Sequence, residues 1–539
     1  MDRRRGRAQE GQLGRVARHL ARIVERRAGR KAWRGVFLLL ALFPAGCDER
    51  TARVTETARN TRELIVGFPE GGVRSADLGP GQFTRMLSLE GLTWGNVDGR
   101  SVPRLAESWT WEDGGRQLRL RLRPGVFFHD GTPLKAKVAV GILQAAALGP
   151  GAAGSYSSFA DITAITPVGD LEILIRLARP SAFLPDDLDM PLPIRPNVGT
   201  GPFRVVKRDS GVVLFERFDR YYGGTPSIER VQMKTFDALR TAWSSLLRGE
   251  VDMVTDVPAE AIDFVGTKDV DVIRYKRRYQ YMVAFNARQP ALASPAVRRA
   301  LNLAVNRDVL VARALHGYGD PATGPLWPRH WAYDTSIAPF AYDRRQAVEL
   351  LETAGFPEGR ARGASQMPKA RLVFTCLLLK DFSLHERVAL ELQKQLYDVG
   401  VDIKFELVSA EDFNDRVREG RFEAVLIDMI SGPSFGRPYI FWRSAKQFDG
   451  LNKFGYENAE AERLFERLRS SALNEAATRS ATNRLQRVFL EDPPALFLAW
   501  SERARVVGPM FTPVIDPDRD PVLTMWRWAP RTDAAVGAE

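Results

Sequence analysis

Few side chains in this 539-residue sequence could carry bond-making chemistry. The five histidines, His19, His129, His316, His330 and His385, are scattered along the chain. His385 opens "HERVA", which lacks the second histidine that a zinc-protease helix places one turn on. "GPGAAG" at 149–154 matches the glycine spacing of a dinucleotide loop. It follows the helix-like "VAVGILQAAAL" instead of a strand and opens no clear helix, so it reads as a loop. No CxxC pair, no glycine loop ending in GKS or GKT and no GxSxG elbow occurs. His129, inside "FFHDGTPL", reads as a structural histidine, and the pair Glu406 and Glu411 as a solvated face. No constellation for covalent or metal catalysis is present. The expectation is a binding protein without catalytic residues, cofactor or metal.

Sulfur chemistry is confined to Cys47 and Cys376. Cys47 ends the stretch "VFLLLALFPAGC", and charge follows at once in "DER". The apolar run Val36–Phe43 is shorter than the ~20 residues of a membrane-spanning helix, and it suits the core of a secretory signal. Ala45-Gly46-Cys47 resembles a bacterial lipobox, with Pro44 where that box usually has Leu. Residues 1–46 are therefore expected to be a leader and Cys47 an acylated anchor; ordinary signal cleavage is the alternative. If Cys47 is acylated, Cys376 has no intramolecular partner, and no disulfide framework is expected.

A hydrophobic content of 45% and a charged content of 27% are ordinary for a soluble globular chain, and the length allows two or three domains. Of the net charge of +11, residues 1–46 carry +9, with 12 Lys+Arg against three acids. The remainder carries only +2, which suits a basic leader crossing a membrane and gives no nucleic-acid partner. Residues 47–61 are polar and aperiodic, as in a tether. "ELIVGFPEGG" predicts a strand ending in glycine. In "RQLRLRLRPG" Leu118, Leu120 and Leu122 alternate with Arg119, Arg121 and Arg123, the pattern of a half-buried strand. From residue 371, "ARLVFTCLLL", a helix over 383–399 closed by Gly400, "VDIKFEL", a helix over 411–419 and "EAVLI" spell β-α-β-α-β. A similar unit comprises strand 229–236, helix 238–248, "EVDMV", a short helix from Pro258 and "VDVIRY". Two such units predict an α/β fold of two lobes. A crevice would lie beyond their strand ends, lined by Gly67–Gly72 and by Asp428 onward.

Five phrases stand in order along the body: "PRLAESWTWEDGGRQLRLRLRPGVFFHDGTPLKAKVAV" (103–140), "VGTGPFRVV" (198–206), "ERFDRYYGGTPSIERVQMKTF" (216–236), "LLRGEVDMV" (246–254) and "PAVRRALNLAVNRDVLVARALHGYGDPATGPLWP" (295–328). Together they resemble the family 5 solute-binding proteins of ABC importers, the dipeptide, oligopeptide and nickel group, over about residues 62–530. The resemblance implies a two-lobed periplasmic-binding-protein fold (type II, cluster C-like) with an inserted subdomain and a hinge. Lobe one would comprise 62–92, 195–282 and 505–530, the inserted subdomain 93–194 and lobe two 283–504, with 531–539 as a tail. It implies a monomeric extracytoplasmic receptor, held at the membrane through Cys47, that hands a short peptide to permease subunits. A metal chelate, opine or sugar derivative is the alternative solute, and a sensory module without transport the alternative role.

Asp428 falls where peptide-binding relatives place the partner of the peptide's ammonium; it either does that or satisfies loop amides. Phe435, Tyr439, Trp442 and Trp327 are either pocket walls or core. Tyr281 and Asn286 are candidate contacts at the crossing between lobes, and Arg437 a candidate for a solute carboxylate. Gly199, Gly201 and Pro202 are expected to shape a bend through the φ freedom of glycine. Arg298, Arg299 and Arg307 are expected at the surface or in ion pairs.

Overall fold

The structure is a computed structural model. It describes residues 62–69, 79–147, 149, 156–257, 261–262, 269–338, 340–358, 370–380, 382–444, 452–471, 473–516 and 518–531. The leader, Cys47, the tether, the crevice residues 70–72, the helix expected from Pro258 except for residues 261–262, which are helical, and the tail beyond 531 lie outside the described residues.

The alternating leucines build a small four-stranded antiparallel sheet, in the order 106–112, 117–122, 172–177 and 162–168. Leu118, Leu120 and Leu122 are fully buried, while Arg119 pairs with Glu112 and Glu172 and Arg121 with Glu107 on the outer face. The helix Ala136–Ala147 lays Ala139, Val140 and Leu143 into the same apolar cluster.

Both predicted α/β units belong to one mixed sheet of eleven strands. At one end Val401–Val408, Leu372–Leu379 and Ala424–Ile430 run parallel. At the other, Glu63–Pro69 pairs in parallel with Arg230–Phe236 and Met253–Val257. Two long antiparallel strands, Asp271–Phe285 and Ala495–Val507, join the halves. "VDVIRY" and "YQYMVAF" are thus parts of one 15-residue strand. The intervening cations break the apolar alternation, and the strand runs on through them because it is paired with its neighbours before and after. The strand expected at 250–254 is displaced to Met253–Val257. Glu250 N donates to Ser245 O at 2.8 Å, at the end of the preceding helix, and Asp252 N donates to Ile65 O at 2.7 Å.

Gly201 serves a close approach and not a positive φ: a Cβ there would stand 2.5 Å from Leu87 O. Beside it, His129 Nε2 lies 2.9 Å from Gly201 O and Gly199 N donates to Nδ1 at 3.4 Å. Burial lowers this ring to about 4, so it stays neutral, as expected of a structural histidine. Glu90, buried at the same junction, accepts from Arg104, Thr200, Tyr221 and Tyr222 at 2.8–3.2 Å. Arg307 is not at the surface: buried, it donates to the carbonyls of Ala322, Phe497, Asn302 and Val305. Arg298 is also buried, with carbonyls of Pro493, Leu292 and Ala293 beside its ion pair with Asp492.

Candidate functional site

The two crossing strands lose register at one place. Lys276 pairs with Glu502 and Gln280 with Trp500, so Arg277, Arg278 and Tyr279 face only Ser501. Extra residues in one strand make a bulge, which bends the chain and re-aims side chains. Here it places adjacent guanidiniums in different surroundings. Arg277 lies over the Tyr279 ring at 4.0 Å and acts on Asp428. Arg278 donates to Gly95 O at 2.5 Å, lies over the Trp94 ring at 5.3 Å and stands 3.9 Å from Asp189.

The sequence candidates divide between these surroundings. Asp428 pairs in register with Tyr281, and its carboxylate is 3.6 Å from His385 Nε2. Tyr281 is buried, 3.4 Å from Ser501 Oγ and edge-on to His385. Burial pushes the Asp428 carboxyl up, but the His385 hydrogen bond and the charges of His385, Arg277 and Arg503 outweigh it and hold it at about 2. Asp428 is thus an ionised carboxylate already surrounded by nitrogen groups.

Met429, next along the strand, belongs to the apolar cluster of the opposite side, with Trp327, Phe435, Tyr439 and Trp442. All five are buried. Trp327 Nε1 donates to Val97 O at 2.8 Å, and Phe435 lies 4.1 Å from the His330 ring. Tyr439 meets Phe183 edge-on at 5.4 Å and donates to Glu466. Trp442 packs among Phe454, Tyr456 and Phe497. Trp327 and Tyr439 therefore stand against Val97 and Phe183 of the earlier part of the chain. Arg437 is half-buried and attracts the Asp187 carboxylate. Asn286 stands apart, donating to Gly420 O and Phe422 O and accepting from Arg288.

An acidic turn, absent from the sequence reading, faces the same junction. Asp186 accepts from Ser101, and Asp187 from Ser157 Oγ at 3.0 Å and Ser158 N at 2.7 Å. Burial, with repulsion from Asp187 and Asp189, raises Asp186 to about 7. Burial likewise raises Asp187 and Asp189 to about 6, against the pull of Arg437 on one and of Arg278 and Arg104 on the other. The sequence signals for this region were the run "RYKRRYQY" (274–281), dense in cations and aromatics, and "DDLD" (186–189).

A family model described as bacterial extracellular solute-binding proteins, family 5 middle, matches residues 100–449. The chain belongs to this family. Its similarity to the oligopeptide-binding protein AppA of Bacillus subtilis (strain 168) is 25% identity over 425 residues, 73% of this chain and 77% of that one. With the glutathione-binding protein GsiB of Pectobacterium atrosepticum it shares 28% identity over 350 residues, 61% of this chain and 65% of the relative, just under two thirds. Among solved structures, NikA from Brucella suis in complex with Fe(III)-EDTA superposes with a TM-score of 0.76 at 20% identity, covering 87% of this chain and all of that one. The family 5 fold expected from the sequence is the fold observed, mixed α/β and joined by crossing strands. Family 5 proteins work outside the cytoplasm, and no helix among the described residues is long and apolar enough to cross a membrane.

Proposed function

We propose that this family 5 protein is the non-catalytic receptor of an ABC importer that captures a short peptide and presents it to permease subunits. The relatives named for oligopeptides and glutathione support the solute class. The bulged crossing pair carries the reading: among the described residues, the two halves of the sheet are joined through two long strands whose register breaks there. The lobes are those drawn from the sequence, 62–92 with 195–282 and 505–530 against 283–504, with 93–194 inserted. Closure would favour the liganded conformer by desolvating the solute. Trp327, Phe435, Tyr439, Trp442, Arg437, Tyr281, Asn286 and Asp428 remain the proposed lining and its support. Cys47 would hold the monomer at the membrane as a lipoprotein.

The test is the native mass of the body from Asp48 onward, produced in a bacterial periplasm. A set of bound masses spaced like amino-acid residues is the expected result. One discrete non-peptide mass would reassign the solute, and a clean unliganded mass would favour a sensory role over transport.

A further inference from the structure

Trp94 sits in surroundings that packing alone does not explain. Its indole lies 4.8 Å from the Arg104 guanidinium, 5.3 Å from Arg278 and 5.6 Å from Arg519. Arg104 belongs to the buried Glu90. Arg278 comes from the bulge and Arg519 from the segment after Ile515, and they are close enough for their charges to repel. Carboxylates stand at their edges: Asp189 is 3.9 Å from Arg278, which Asp186 also attracts, and Asp516 is 3.3 Å from Arg519.

Trp94 Nε1 is buried with no hydrogen-bond partner among the described residues, as are Gln280 Oε1 and Ser431 Oγ on the strands that cross at Arg278. Gln280 lies two residues along the strand from Arg278, with its amide nitrogen donating to Gly324 O at 2.7 Å. Ser431 N donates to Arg278 O at 3.0 Å. Buried polar atoms are rarely left unpaired, so Trp94 Nε1, on the ring that lies near both Arg278 and Arg519, marks a place completed from outside the chain.

We propose that a carboxylate of the solute docks between Arg278 and Arg519 against the Trp94 ring. This deepens the peptide reading and rests on it, because it names the group that the receptor recognises. Two guanidiniums suit a carboxylate through charge-assisted, fork-shaped hydrogen bonding. Trp94, Arg278 and Arg519 stand on three separate segments, so the site is complete only while those segments are apposed.

The test is calorimetric titration of the body, stripped of bound solute by unfolding and refolding, with trialanine, trialanine amide, glutathione and citrate. Binding of trialanine or glutathione that weakens about tenfold or more in the amide, in Arg278→Ala and in Arg519→Ala would support the site. Unchanged circular dichroism and melting would exclude misfolding, and Arg519, paired with Asp516 three residues back, is the second variant should Arg278→Ala, which loses the bond to Gly95 O, unfold. Equal binding of acid and amide, or wild-type affinity in both variants, would overturn the carboxylate site and leave the peptide reading standing. Binding of citrate alone, lost in the variants, would keep the site and overturn the peptide reading. Binding of none of the four would overturn both.

Discussion

At Asp428, burial and local charge pull a carboxyl in opposite directions. The His385 contact and the Arg277 and Arg503 charges prevail, and the group is held at about 2. A carboxyl depressed in the folded state stabilises the protein above its unfolded value, and that contribution is lost as the pH falls through the folded one. Asp428→Asn should therefore remove on the order of 2 kcal/mol at neutral pH and progressively less toward pH 2. Urea unfolding of both proteins across that range measures it; a constant difference at all pH values would sink the assignment. A strand leading to Asp428 was legible in "EAVLI", because apolar runs announce buried strands, although it runs on to Ile430 and does not end at Asp428. Its surroundings were not, since His385, Arg277 and Arg503 come from three distant stretches of chain.

The bulge at Arg277–Tyr279 and the glycine junction show how elements set the positions of side chains. Gly201 lies where two backbones touch, with room for hydrogen and none for a methyl group. Gly201→Ala should destabilise by about 1–3 kcal/mol through overpacking against the 87–88 backbone. A melting temperature equal to the wild type would contradict this. The glycines of "VGTGPF" stood out in the sequence, but φ freedom and close approach look alike there. Only the neighbouring strand and helix distinguish the two. Periodicity found the helices Ser383–Tyr397 and Ala410–Glu419 nearly to the residue, with Gly400 and Gly420 both at positive φ beyond their ends. It missed the bulge, because a change of register depends on what lies opposite.

Across the whole molecule, the segment 93–194 is fastened to the later part of the chain by polar contacts, of which the Arg469–Asp161 pair is buried. Arg469 pairs with Asp161 at 2.9 Å and donates to Pro180 O, while Ala182 N donates to Arg469 O. Trp331 N donates to Asp98 O at 2.9 Å, and Arg100 reaches Glu475. Opening a crevice here must break these contacts. Removing one partner of a buried ion pair costs about 3–5 kcal/mol, so Arg469→Ala should shift the protein toward an open form. Small-angle scattering without added solute should then give a larger radius of gyration than the wild type, and equal radii would refute the fastening role. The sequence by itself determined the α/β pattern and the family, because these rest on local periodicity and on phrases read in order. Only the tertiary structure decided that the two α/β units share one sheet, that Asp428 is already compensated, and that Trp94, Arg278 and Arg519 meet. Contacts between residues hundreds of positions apart are fixed by strand pairing and burial, which no local pattern encodes.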